Sequence, residues 1–382
     1  MLPRLERRGE ASHRLVYLTP FLALILTLLG GCLLFGLMGH DPLLALYTFF
    51  VRPISSDFEY GLAELGIKAT PIVLCALGLA FGFRANVWNI GAEGQLIVGV
   101  ITGGGLALWF YDSDSVLLLP AMILAGTAGG MAWAAIPAWL KTRFNANEIL
   151  TSLMLTYVAL LLFSTLVHGP WRDPEGYNFP ESRMFGEAAI LPIIWDGTRL
   201  HIGALFALAA AALGWVVLSR TLVGFQIKVI GAAPAATAYA GFSRDRLVWL
   251  ALLVSGGLAG MAGLFEVAGP VGQLVATFSP GYGFTGIIVA FLGRLHPVGI
   301  VLAGLLVALS YLGGETVQIE MGLPQAVTGV FQGMLLFFLL GTDVLVRYRL
   351  RLPGRPGGRP GGRPAGRPAG RPGVPLSQRT AS

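Results

Sequence analysis

Charge is what this chain most lacks: only 12% of its 382 residues are Asp, Glu, Lys or Arg, while 55% are hydrophobic. A soluble domain carries about 25% charged residues, so a water-facing globule is excluded. Cysteine is almost absent. Cys32 and Cys75 both fall inside apolar runs and show no CxxC or ligand spacing, which excludes a disulfide framework and a thiolate metal site. No GxxxxGK[ST] phosphate loop occurs, so the chain has no nucleotide-hydrolysing site of that kind. HExxH and nucleophile-elbow patterns are missing as well, and His13, His40, His168, His201 and His296 are scattered. An enzyme has no site to stand on here.

What is present is a series of long apolar runs. The spans read near 16–38, 61–83, 95–111, 116–139, 148–167, 202–219, 247–268, 275–292, 297–313 and 324–346, ten in all, each close to the roughly 20 residues that cross a bilayer. The expected fold is therefore an all-α polytopic membrane protein. The first run follows Arg4, Arg7, Arg8 and Arg14 and exceeds a signal-peptide core of 7 to 15 residues. Leu29-Gly30-Gly31-Cys32 resembles a lipoprotein processing site, but the run continues past Cys32, so the helix is expected to stay on.

Basic residues in short loops orient the spans. Arg4 to Arg14, Lys141 and Arg143, Arg220 to Arg246, Arg294 and the C-terminal tail share one side if both termini are cytoplasmic. Acidic segments around Asp41 to Glu64, Asp112, Asp173 to Asp196 and Glu315 to Glu320 fall on the other. The net charge of +6 belongs to the tail, because nine arginines and no acid follow position 346. Its repeat GRPGGRPGGRPAGRPAGRPG, from Gly354, has nothing to bury and no collagen period. The chain thus divides into a cytoplasmic N-terminus (1–15), a transmembrane domain (16–346) and a tail (347–382) expected to be disordered.

Three polar features interrupt the apolar pattern. FRANVWNIGAEGQ, Phe83 to Gln95, sets glycine and amides between two spans, and unwound backbone at membrane depth survives only inside protein or beside water. On the outer side, 168–201 is rich in proline, tryptophan and charge, which suits an ordered cap or docking surface or else a plain surface loop. On the inner side, 220–246 mixes small residues with helix formers between arginines and is read as a short helix along the cytoplasmic face.

FRANVWNIGAEGQ (83–95), NANEILTSLMLTYVALLL (145–162), GFQIKVIGAAPAATAYAG (224–241), SGGLAGMAGLFEVAG (255–269) and GYGFTGIIVAFLGRLHPVGI (281–300) resemble, in order and spacing, the permease subunits of bacterial ABC importers for simple sugars and nucleosides. HGPWRDPEG and the proline of GAAPAATAYAG look more like the nucleoside branch. The resemblance implies a permease fold in the bacterial inner membrane and a second permease, a related paralogue. It also implies a cytoplasmic ABC ATPase that binds the ATP, an extracytoplasmic binding protein that delivers ligand, and no cofactor or nucleic acid bound by this chain. It further implies ATPase coupling through Gly224, Gly231, Pro234, Ala235, Ala236 and Gly241, although Ala233 stands where that branch usually has asparagine.

Asn86, Asn89, Glu93 and Gln95 would offer donors and acceptors to a ribose hydroxyl or a base edge, or else would cap broken helix ends. Glu266 sits within an apolar run, where a carboxylate lines an interior or a pathway. Asn147 reads as an N-cap, with Glu148 complementing the helix dipole. Gly256, Gly257, Gly260 and Gly263 read as helix-packing residues, and Glu64 with Lys68 as an i,i+4 pair. A self-sufficient transporter driven by an ion gradient is the alternative, with Glu93 and Glu266 as its candidate titratable groups.

Overall fold

Helix starts in this chain are written by short polar side chains that accept the free N–H groups of a first turn. The computed structural model describes residues 4–7, 13–233, 237 and 239–351. Strand β1 (Arg4–Arg7) leads into α1 (His13–Leu37), α2 (Pro42–Phe50), α3 (Arg52–Ser55), α4 (Phe58–Arg84) and α5 (Ala92–Trp109). Next come α6 (Leu118–Phe144), α7 (Glu148–His168), α8 (Gly203–Arg220), α9 (Leu222–Ala232) and α10 (Arg244–Glu266). Last are α11 (Tyr282–Leu292), α12 (Pro297–Met321), α13 (Ala326–Arg347) and β2 (Tyr348–Arg351). Asp41, Asp57, Asn147, Thr221 and Ser243 cap α2, α4, α7, α9 and α10 through their side-chain oxygens.

Among the described residues, eight helices are long and apolar enough to cross a membrane: α1, α4, α5, α6, α7, α8, α10 and α12. Of the two remaining expected spans, 324–346 falls on α13, 22 residues long, and 275–292 differs from a plain crossing. Within 275–292 only the eleven residues of α11 are helical, because Gly272 and Gly281 take φ of 73° and 94° and Pro280 precedes the helix. The acidic outer segment after the first span folds into α2 and α3, which the apolar pattern does not place.

Helix α4 is the axis of the body: 83% of its apolar window is buried, against 22% for α1 and α7. Helices α8, α10, α11 and α12 pack on it, and α5 and α6 pack on α10. The outward apolar faces of α1 and α7, with Phe21 66% and Leu161 65% exposed, are those of helices that meet lipid tails rather than protein. Where α5, α6 and α10 meet, glycines replace side chains. A Cβ on Gly99 would lie 2.3 Å from Gly260, and one on Gly130 would lie 2.1 Å from the Gly256 carbonyl oxygen. Gly256, Gly260 and Gly263 therefore do the packing expected of them, and Gly257 seats the Met131 side chain.

The ends of the body differ in chemistry. At one, Arg84 Nε donates to the Leu295 carbonyl at 2.9 Å, Arg294 bonds Thr19, and Lys141 pairs with Glu148. Glu148 thus serves as an ion-pair partner as well as a first-turn acid. At the other end, Glu64 and Lys68 do not pair with each other. Glu64 accepts both Nε and Nη2 of Arg199 at 2.9 Å, and Lys68 Nζ donates to Glu315 at 2.9 Å. A partner from another segment removes a carboxylate from water more completely than a neighbour one turn away on the same exposed face.

The outer segment is pinned, not loose. Ser182 N–H donates to the Leu274 carbonyl, Phe185 N–H to Gly272 and Leu191 N–H to Ala268, which straps residues 181–191 along the turn after α10. His201 sits against Gly269, and its Nδ1 accepts the Gly203 N–H at 3.1 Å. Burial pushes this imidazole down to about 4, so it is neutral at physiological pH. Residues 348–351, placed by the sequence reading at the start of a disordered tail, instead pair antiparallel with 4–7. The repeat beyond them lies outside the described residues.

Candidate functional site

The polar break between α4 and α5 is closed by its own side chains. Asn86 ends α4 with φ of 56°, and its Oδ1 accepts the Trp88 indole N–H at 3.2 Å. Asn89 is 1% exposed. Its Nδ2 donates to Gln95 Oε1 at 2.8 Å and to Ser255 Oγ at 2.9 Å, while its Oδ1 accepts the Gly91 N–H and Gln95 Nε2. Two donors and two acceptor positions are all an amide has, so Asn89 is saturated. The network ties the break to α10 through Ser255, and Ser152 of α7 joins from the other side by accepting the Ile90 N–H at 3.2 Å.

Glu93 caps a helix other than its own. Its Oε1 accepts Ser279 Oγ at 2.7 Å, and its Oε2 accepts the Gly283 N–H at 2.6 Å, at the start of the short α11. A helix N-terminus carries a partial positive charge that a carboxylate neutralises. Gly283 permits the approach, since a Cβ there would lie 2.3 Å from the Glu93 nitrogen. None of Asn86, Asn89, Glu93 or Gln95 lines the cavities described next. Of the two roles the sequence leaves open for these four, their hydrogen bonds are those of a brace between broken helix ends.

Glu266 is placed differently. It lines a cavity of about 360 Å³ with Lys68, Arg199, Tyr282, Glu315 and Gln325, and the Tyr282 hydroxyl donates to it at 3.4 Å. Two more cavities adjoin. One of about 350 Å³ is bounded by Tyr311, Glu315, Gln325, Thr328 and Gln332. Another of about 420 Å³ is bounded by Phe284, Thr285, Ile288, Gln332 and Leu336. Pro280 borders all three, and each falls within the roughly 300 to 1,000 Å³ of small-molecule sites. Together they make a trough along α11 and α13. Its mouth holds the Lys68–Glu315 pair and Arg199, paired with Glu64, beside Glu266; its middle is neutral and polar, and its far end is apolar. Gln325, just ahead of α13, and Thr328 and Gln332 on it are spaced i, i+3, i+7, a polar stripe beside an apolar run that the sequence displays and that a search for charge overlooks.

The segment read as an inner docking helix is α9, and its glycines are seats. A Cβ on Gly224 would lie 2.3 Å from the Val217 carbonyl of α8, and one on Gly231 would lie 2.0 Å from the Arg84 carbonyl of α4. Gly241 holds a turn at φ 73° in open space. Pro234, Ala235 and Ala236 lie outside the described residues.

If the trough is hydrated and the break is not, cysteine labelling separates them. After Cys32 and Cys75 are replaced, Gln325→Cys and Gly329→Cys should react with a small water-soluble thiol reagent at least about tenfold faster than Asn89→Cys, whose site is saturated and buried. Equal rates at all three would remove the distinction.

A multi-helix membrane body with a discontinuous helix, an inner helix seated on span ends and a polar trough is the architecture of a transport permease. The chain matches the family model described as branched-chain amino acid transport system / permease component over residues 61–340, and it belongs to that family. It is 37% identical to the glucose ABC transporter permease protein TsgB13 of Haloferax volcanii over 91% of this chain and 93% of the relative. It is 32% identical to the guanosine ABC transporter permease protein NupP of Bacillus subtilis (86% and 93% covered). It is 28% identical to the nucleoside ABC transporter permease protein NupB of Lactococcus lactis (84% and 90%). The chain is thus a multi-pass ABC transporter permease, a transport component and not an enzyme, of a class that works with an ATPase and a substrate-binding partner.

Proposed function

We propose that this permease carries uncharged nucleosides or simple sugars inward through the trough along α11 and α13, with ATP bound and hydrolysed by a separate cytoplasmic subunit. The observation that carries the reading is the chemistry of the trough: past the paired charges at its mouth it offers amides, hydroxyls and a phenol but no unpaired charge. Such a lining suits neutral solutes with many hydroxyls, whereas a zwitterionic amino acid needs charge partners at both ends. Relatives named for glucose, guanosine and nucleosides agree with this choice of substrate.

The second permease is a related chain, and an extracytoplasmic binding protein delivers ligand to the end that holds Arg199 and Glu315. Helix α9 carries the ATPase stroke to α4 and α8 through the close seats at Gly231 and Gly224. The test is uptake of radiolabelled guanosine and glucose into vesicles holding the complete transporter, with internal ATP or an ion gradient supplied separately. Uptake with ATP alone is expected. Uptake driven by the gradient without ATP would overturn the proposal in favour of a secondary transporter.

A further inference from the structure

Glu266 is the acid left over when the charges around the mouth of the trough are paired off. Two cations border the same cavity, but Arg199 is held by both oxygens of Glu64 and Lys68 by Glu315. Glu266 ends α10 and is only 5% exposed. A carboxylate this deep is kept at a cost, and such groups line an interior or a route. Its Oε1 accepts the Tyr282 hydroxyl at 3.4 Å, a long bond. Among the described residues no donor reaches Oε2, and packing does not cover that oxygen. It therefore faces the cavity of about 360 Å³ that Glu266 lines.

Chemistry narrows what meets this oxygen. An anion is repelled by it, and an apolar solute would strip the carboxylate of water and give nothing back. A cation would be held at the mouth and stopped there, because the next cavity inward has no acid but Glu315, which Lys68 already occupies. A neutral solute with O–H donors carries neither cost. Hydroxyls on adjacent carbons aim two donors at the two oxygens of one carboxylate, and the charge strengthens both bonds. We propose that Glu266 takes a vicinal pair of hydroxyls on the solute as it enters the trough, and so sets the preference for intact sugars over their deoxy forms. This rests on the transport reading above and deepens it.

Water in the cavity satisfies a carboxylate whatever its role, so the experiment reads selectivity rather than uptake alone. In vesicles with the complete transporter, uptake of tritiated guanosine is compared with that of its 2′-deoxy and 3′-deoxy forms, and glucose with 2-deoxyglucose and 3-deoxyglucose. Every variant meets the same binding protein, so a ratio that moves belongs to the permease. The wild type is expected to prefer the parent over a deoxy form by about tenfold, the worth of one good hydrogen bond. In Glu266→Met, which has no acceptor of comparable strength, that ratio should fall to within about twofold, with KM for the parent raised. Glu266→Gln keeps the size and an oxygen for Tyr282 but sets an amide donor where the free oxygen stood. A hydroxyl must then turn and accept without the help of charge, and the ratio should fall to about threefold.

Unchanged ratios in active variants overturn the assignment and leave water as the partner of the carboxylate. A wild type that takes up the parents and their deoxy forms alike overturns it as well. Failure of both variants to assemble does the same, since the residue is then structural. If the wild type takes up neither parent compound, the transport reading falls and takes this one with it.

Discussion

Replacing Gly260 with leucine is expected to abolish recovery of folded protein from membranes. A Cβ at 260 would lie 2.3 Å from the Gly126 carbonyl oxygen and 3.0 Å from the Gly130 Cα, and both obstacles are backbone of α6. No rotamer change relieves such a clash, so α10 must move away from α6 and from α5, where Gly99 touches the same residue. Between membrane helices, close approach of backbones is itself the main source of attraction. Gly260→Ala should keep the fold but lose about 1 to 3 kcal/mol, as overpacked cores do, read as a lower Tm in detergent. Gly341→Ala is the control: nothing lies within 4 Å of that glycine, so alanine there should be neutral or slightly stabilising through its higher helix propensity. Wild-type yield and Tm for Gly260→Leu would show that the three helices do not meet as described.

Removing the Glu93 carboxylate is expected to have the next largest effect, and its size should depend on what replaces it. In Glu93→Leu the Gly283 N–H and the Ser279 hydroxyl both lose their acceptor, and the start of α11 loses its neutralising charge at a buried site. Several kcal/mol are at stake by the cost of unmet buried donors, enough to leave little assembled permease. Glu93→Gln keeps an oxygen for the Gly283 N–H, obliges the Ser279 hydroxyl to turn from donor to acceptor, and loses the charge at the helix end, which is worth about 0.3 to 2 kcal/mol. The ordering of the pair decides the role. Assembly and Tm should fall far more in the leucine variant than in the glutamine one, while the ratio between guanosine and its deoxy forms stays constant wherever uptake survives. A glutamine variant that assembles fully but has altered selectivity would instead place Glu93 on the route itself.

These two expectations touch residues that were legible in the sequence to very different degrees. The glycine-rich segment of α10 announced close packing, because small residues about four apart in an apolar run have one common use. Its partners could not be read, since Gly99 sits in one other run and Gly126 and Gly130 in another, each ambiguous alone. Glu93 was conspicuous as a carboxylate in a polar break, but its partners Ser279 and Gly283 lie 186 and 190 residues away. Local reading placed Glu93 in its own break, as a pathway residue or a helix-end cap; long-range pairing shows it capping another helix. The same limit explains Glu64 and Lys68, which have ideal helical spacing yet pair with Arg199 and Glu315.

By itself, then, the sequence determined that the chain lives in a membrane, where most of its spans lie, and which family motifs it carries. Those are properties of composition and of a period of 3.6, and they survive in any arrangement that keeps backbone hydrogen bonds inside each helix. Only the tertiary structure decided which polar groups are spent on bracing the fold and which border a cavity. Asn89 and Gln95 satisfy each other, while Thr328 and Gln332, inconspicuous in an apolar run, line open space. The reason is physical: an amide's capacity is fixed by its type, but its vacancy is fixed by neighbours brought from distant parts of the chain, and in a medium without water those neighbours alone settle the matter.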